Sequence, residues 1–144
     1  MMGEELDLED LNLYLNSVPT HSPNYLNFIQ LNQRKSEIFD QLTRNYVMSL
    51  NKLSPETPLI CLLQEPYYYK QGNFFSPDFL YTDIYDKQPG CCARAAIWCP
   101  KLFNPRPVLQ LMSRDVAAAA ITIQNESFLI ISIYNPPMET QLSN

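Results

Sequence analysis

Glu65 closes an apolar run, Leu59-Ile60-Cys61-Leu62-Leu63-Gln64, and Pro66 turns the chain immediately after it. A carboxylate held at the end of a buried strand suits a hard, oxygen-preferring cation such as Mg²⁺. Asn32 follows another apolar stretch, and its amide, both donor and acceptor, can orient a phosphate or polarise a carboxylate. Tyr134 ends a third stretch, where its phenol can donate a hydrogen bond to a phosphoryl oxygen. Singly, each has a plainer role: a glutamate reaching water, a turn-forming asparagine, an aromatic favoured in strands.

The elements that must position these residues are legible from periodicity. Residues 25–31, with Leu26, Phe28, Ile29 and Leu31, read as a strand. Ser36 is a helix N-cap with Glu37 in the first turn, where its charge complements the helix dipole. Ile38, Phe39, Leu42, Tyr46, Val47, Leu50 and Leu53 recur at steps of three and four, which predicts a helix with one apolar face, stopped by Ser54-Pro55. Residues 59–63 form a continuous apolar run, as in a strand buried on both faces. Strand, helix, strand implies a parallel βαβ unit whose carboxyl ends share one sheet edge, placing Asn32 and Glu65 together where open α/β sheets bind ligands. Residues 66–93 read as an aromatic-rich loop, 95–99 as a strand closed by Pro100, and 101–112 as a connection. Residues 116–123 and 128–134 flank the polar Gln124-Asn125-Glu126-Ser127 and predict a β-hairpin.

The chain has 144 residues, the length of one domain, and 46% hydrophobic residues, enough for a sizeable core. Its net charge of −5 is uneven: Glu4, Glu5, Asp7, Glu9 and Asp10 precede any base, and the remaining ten acids balance ten bases. Residues 1–23 therefore read as an acidic, poorly ordered arm, and 24–144 as an electrically neutral domain without the basic footprint of an autonomous nucleic-acid binder. Cys61, Cys91, Cys92 and Cys99 form no Cys-x-x-Cys pair, and the lone His21 is far from them, which excludes a standard zinc site and predicts free, mostly buried thiols. The acidic start does not resemble a secretory or mitochondrial leader. The longest apolar run, 128–131 with Ile133 and Tyr134 beyond Ser132, is too short for a bilayer. The expectation is a soluble intracellular protein, nuclear or cytoplasmic, without a membrane partner.

Five short motifs occur in an order that resembles the endonuclease domains of non-LTR retrotransposons, within the endonuclease/exonuclease/phosphatase superfamily. They are Phe28-Ile29-Gln30-Leu31-Asn32-Gln33-Arg34-Lys35-Ser36, Leu62-Leu63-Gln64-Glu65-Pro66-Tyr67, the stretch from Pro89-Gly90 to Arg94-Ala95-Ala96-Ile97, Ser113-Arg114-Asp115-Val116-Ala117, and Ser132-Ile133-Tyr134-Asn135-Pro136-Pro137. The resemblance implies a partial α/β sandwich, about one of the family's two sheets, with a βαβ start and a later hairpin. It implies hydrolysis of a phosphodiester by metal-assisted attack of water, nicking DNA at an insertion site. Glu65 would bind the metal, Mg²⁺ or Mn²⁺ in the intact domain. Asn32 would help position metal and phosphate, and Tyr134 would contact the scissile phosphate.

The departures from the family pattern are specific. Its Gly-Asp-Phe-Asn and Ser-Asp-His motifs do not occur, and both belong beyond the point where this sequence ends. Some relatives carry an acid or amide two positions after the asparagine, where this chain has Arg34. Asp115 precedes the hairpin and matches a different segment from the missing aspartate. The expectation is a truncated endonuclease domain, inactive alone, with DNA as the partner of the intact domain and an apolar face left uncovered. Two alternatives stand beside it: a phosphoesterase of the same superfamily, and a non-catalytic module binding a protein through the acidic arm or the uncovered face.

Overall fold

Ser36 caps the helix as its type requires: its backbone is extended and its Oγ accepts from the Phe39 N–H at 3.2 Å. The computed structural model describes residues 26–68, 80–87 and 92–137. The acidic arm, Cys91, His21, the Pro89-Gly90 pair and most of the aromatic loop lie outside the described residues. The elements are β1 (Asn27–Asn32), α1 (Glu37–Leu53), β2 (Leu59–Gln64), β3 (Tyr81–Ile84), β4 (Ala95–Pro100), β5 (Arg106–Pro107), β6 (Val116–Ile123) and β7 (Glu126–Ile133).

The βαβ start is present, with β1 and β2 parallel neighbours and Asn32 level with Gln64. The first sheet has the order β1-β2-β4-β3, with β4 antiparallel to both of its neighbours. The expected hairpin is also present, and with β5 it forms a second, three-stranded antiparallel sheet rather than an extension of the first. Its turn is tighter than the four polar residues suggest. Gln124 and Asn125 alone make it, with φ of 51° and 66°, the left-handed pair that matches strand twist in a two-residue hairpin.

Alternation along the central strands builds two cores. Ile60, Ala95, Ile97 and Cys99 of the first sheet face Ala117, Ala119, Ile121 and Ile130 of the second. Cys61, Leu63, Ala96 and Trp98 point the other way, into a cluster with Val47 of α1 and Tyr81 of β3. The first sheet is therefore the middle layer between a helix and a second sheet, which is why β2 and β4 are apolar at nearly every position. The alanines of β6 let the two sheets approach closely. Buried Cys61 and Cys99 are free thiols whose pKa burial pushes up to about 12, while free Cys92 is exposed.

Two sequence expectations meet a different outcome. β3 lies inside the stretch read as loop; it is a four-residue strand with Tyr81 and Ile84 buried, too short for its alternation to stand out among neighbouring aromatics. The helix turns a different face inward. Val47 is fully buried, yet Ile38 is 68% and Leu53 80% exposed, with Leu42 and Tyr46 also exposed. Buried in their place are Asp40 and Thr43. The Asp40 carboxylate accepts from Arg44 at 2.7 and 3.0 Å and from buried Gln33 at 3.3 Å. This polar network, anchored to the loop after β1, sets the helix rotation that apolar periodicity alone would have placed elsewhere. Among the described residues no helix is long and apolar enough to cross a membrane.

Candidate functional site at the strand ends

Both sheets continue one rung beyond their strands, and those extra rungs make the site. Past the Gln64–Ala95 pair of β2 and β4, the Glu65 N–H donates to the Arg94 carbonyl at 2.8 Å. Past the Val116–Ile133 pair of β6 and β7, the Tyr134 N–H donates to the Asp115 carbonyl at 2.8 Å. The Arg94 N–H donates to Arg114 at 2.6 Å, tying the two sheets together at this end. Below the rungs, buried Gln64 donates through Nε2 to Ser132 Oγ at 3.2 Å, and Ser132 donates to the Leu63 carbonyl at 3.1 Å. This buried bridge fixes β7 against β2, and hence Tyr134 against Glu65.

Glu65 has φ 49°, a left-handed conformation that costs a non-glycine residue about 1 kcal/mol. Its carbonyl accepts from the Lys35 N–H at 2.8 Å, so both of its backbone polar groups are held. The loop after β1 is left-handed at Arg34 and Lys35 as well, and Asn32 stabilises it by accepting the Arg34 N–H on Oδ1 at 2.7 Å. Asn32 thus stands at the expected edge beside Glu65, ending β1, with its acceptor oxygen engaged in the turn.

The side chains converge from four strand ends. Arg94 makes a two-pronged ion pair with Asp115, Nε to Oδ1 at 2.6 Å and Nη2 to Oδ2 at 2.8 Å. The Arg94 guanidinium lies 4.9 Å from the Tyr134 ring centroid. The Tyr134 phenol lies close enough to the Glu65 carboxylate to feel its charge. Burial first, then the Glu65 charge and hydrogen bond, raise the phenol above its ordinary pKa, against the opposing pull of Arg94. Arg94 is raised in turn, mainly by its hydrogen bond to Asp115. Glu65 and Tyr134 are thus brought together, with Asn32 at the adjoining strand end. Sequence reasoning noted Arg94 and Asp115 as motif residues and assigned them no role. Their one local signal is a charge placed immediately before a buried strand.

A divalent cation of the kind the resemblance implies prefers six oxygen ligands, several of them water. Here Asp115 is held by Arg94 and the Asn32 oxygen by the turn, which leaves Glu65 as the carboxylate of the cluster outside the ion pair, within reach of the Arg94 charge. Among the described residues no three His, Cys, Asp or Glu side chains converge as a metal site. These residues alone do not make a divalent-cation site. The surroundings nonetheless suit an anion: Arg34, Lys35 and Arg114 are exposed, Lys35 and Arg114 adjoin Glu65 and Arg94 through backbone hydrogen bonds, and Arg34 belongs to the same loop as Lys35. A chain neutral in sum beyond its acidic arm places these cations at the site.

The fold is a mixed α/β one, two sheets packed together with a helix on the outer side of the first, and the strand-end residues gather at one end of it. Among solved structures, the chain is similar to "Endonuclease domain of TRAS1, a telomere-specific non-LTR retrotransposon", with a TM-score of 0.55 at 16% identity over 82% of this chain and 51% of that one. The likeness is one of fold, it fits the resemblance read from the motifs, and the chain spans about half the length of that domain. No protein-family model matches the chain, and no curated protein does.

Proposed function

We propose that the chain carries one half of a metal-dependent DNA endonuclease site and does not cleave by itself. The observation that carries this reading is the gathering of Glu65 and Tyr134 about Arg94, which accepts the Glu65 N–H and covers the Tyr134 ring, on a fold similar to a retrotransposon endonuclease domain. Glu65 is the carboxylate this half contributes toward a divalent cation, which when bound neutralises phosphate charge. Asn32, called from the sequence as a partner of metal and phosphate, has its oxygen held in the turn and helps position the phosphate through its amide nitrogen. Tyr134 donates its hydroxyl to a phosphoryl oxygen of the scissile phosphodiester, and Arg34, Lys35 and Arg114 hold flanking phosphates. The donor set among the described residues, short of ligands with Asp115 paired to Arg94, supports incompetence. A plasmid-nicking assay with Mg²⁺ tests it: the purified chain leaves supercoiled DNA intact. Robust cleavage abolished by Glu65→Gln overturns the claim of incompetence.

A second reading, a non-catalytic protein-interaction module, draws on the exposed stripe Ile38, Leu42, Tyr46 and Leu53 of α1. Its signature is a stable partner lost on Leu42→Asp while DNA affinity is unchanged.

A further inference from the structure

An arginine–carboxylate pair near the surface is ordinarily worth little, and Arg94 and Asp115, each only partly buried, would pass as one. Three observations set this pair apart. First, Arg94 serves two site residues at once: its carbonyl accepts the Glu65 N–H, and its guanidinium covers the Tyr134 ring. Second, both Asp115 oxygens hold the Nε–Nη2 edge of the guanidinium, which fixes its orientation beside the ring. Third, Tyr134 lies beyond the end of β7, and its backbone tie to the Asp115 carbonyl fixes the Cα and leaves the ring direction to its neighbours. The core packs against the ring and Arg94 covers it, and Asp115 orients Arg94.

We propose that Arg94, clamped by Asp115, is the positioning residue for Tyr134, lying over its ring to aim the hydroxyl at the place beside Glu65 where a phosphodiester oxygen would lie. The proposal rests on the phosphodiester reading for what Tyr134 touches. The placement of the ring stands apart from that reading and is measurable without DNA.

The whole chain labelled with 3-fluorotyrosine gives a ¹⁹F spectrum of its nine tyrosines, in which Tyr134→Phe identifies the Tyr134 signal. Arg94→Gln is expected to move and broaden that signal while the circular dichroism stays that of the wild type. Asp115→Asn should move the same signal, and Arg94→Lys should not restore it, because an ammonium keeps the charge and loses the two-pronged edge that Asp115 holds. Affinity for a short DNA duplex at low salt should fall about fivefold in Arg94→Gln, the scale of one exposed cation–π contact. The same substitution should cost nothing further in a Tyr134→Phe background. An unmoved Tyr134 signal in folded Arg94→Gln or Asp115→Asn overturns the proposal, and so do losses that add fully in the double variant. A wild-type chain that binds no duplex defeats the phosphodiester reading instead, and the ¹⁹F result then decides the positioning role alone.

Discussion

Glu65 and Tyr134 meet because each sits one residue beyond a strand, where side chains of two packed sheets can reach each other across the end of the shared core. The same end displays Arg34, Lys35 and Arg114, so the phosphate reading makes an electrostatic prediction. Lys35→Gln and Arg114→Gln should each weaken duplex binding without regard to sequence, and each should lower the slope of log affinity against log salt by about 1. Titrations at several salt concentrations read this directly. An unchanged slope in both would remove these residues from the phosphate contacts. Cysteine reactivity is also decided residue by residue. With their pKa pushed up to about 12 by burial, Cys61 and Cys99 remain protonated and shielded. Thiol labelling followed by mass mapping should modify Cys92 in the native chain, and Cys61 and Cys99 only after unfolding.

Among the elements, α1 shows what a buried charge does to a helix. Burial raises the pKa of Asp40 above its ordinary 3.8, against the lowering influence of Arg44 and Gln33. A carboxyl with a raised folded pKa binds its proton more tightly when folded. Its contribution to stability is complete below the ordinary value and is lost as pH rises through the folded value. Arg44→Gln removes the compensating cation and should cost about 2 kcal/mol at neutral pH, less than for a fully enclosed pair because Arg44 is partly exposed. The deficit should shrink on acidification, and denaturant titrations at neutral and acid pH measure it. The β6–β7 turn offers a change of opposite sign. Gln124→Asn with Asn125→Gly places the preferred pair at two left-handed positions and should stabilise by about 1 kcal/mol.

For the whole molecule, the question is what the second sheet leaves open. Leu129, Ile131 and Ile133 lie exposed along the outward face of β7, and Leu109 and Leu111 are exposed after β5. In the sheet order β7 is an edge, with no further strand beside it among the described residues. An apolar face next to an open strand edge is prone to self-association. Sedimentation velocity should show mass rising with concentration, and Ile131→Thr with Ile133→Lys should hold the chain monomeric. Equal behaviour of the two proteins would place the sticking surface elsewhere, with the α1 stripe as the first candidate.

Much of this architecture was legible in one dimension. Continuous apolar runs specify strands covered on both faces, so β2 and β4 could be read directly. Ser36 and Ser54-Pro55 bound α1 through chemistry local to the backbone. Asn32, Glu65 and Tyr134 announced themselves as polar residues closing apolar strands, and parallel pairing of β1 and β2 follows from their order. The rotation of α1 was not legible, because it depends on a buried Gln33–Asp40–Arg44 network that has no apolar period. Nor was β3, whose four residues are too few to carry a pattern. The convergence of Arg94 and Asp115 on Tyr134 was decided by tertiary structure alone. It depends on the register of two sheets and on the Gln64–Ser132 bridge between residues 68 positions apart, a separation over which local sequence pattern carries no geometric information.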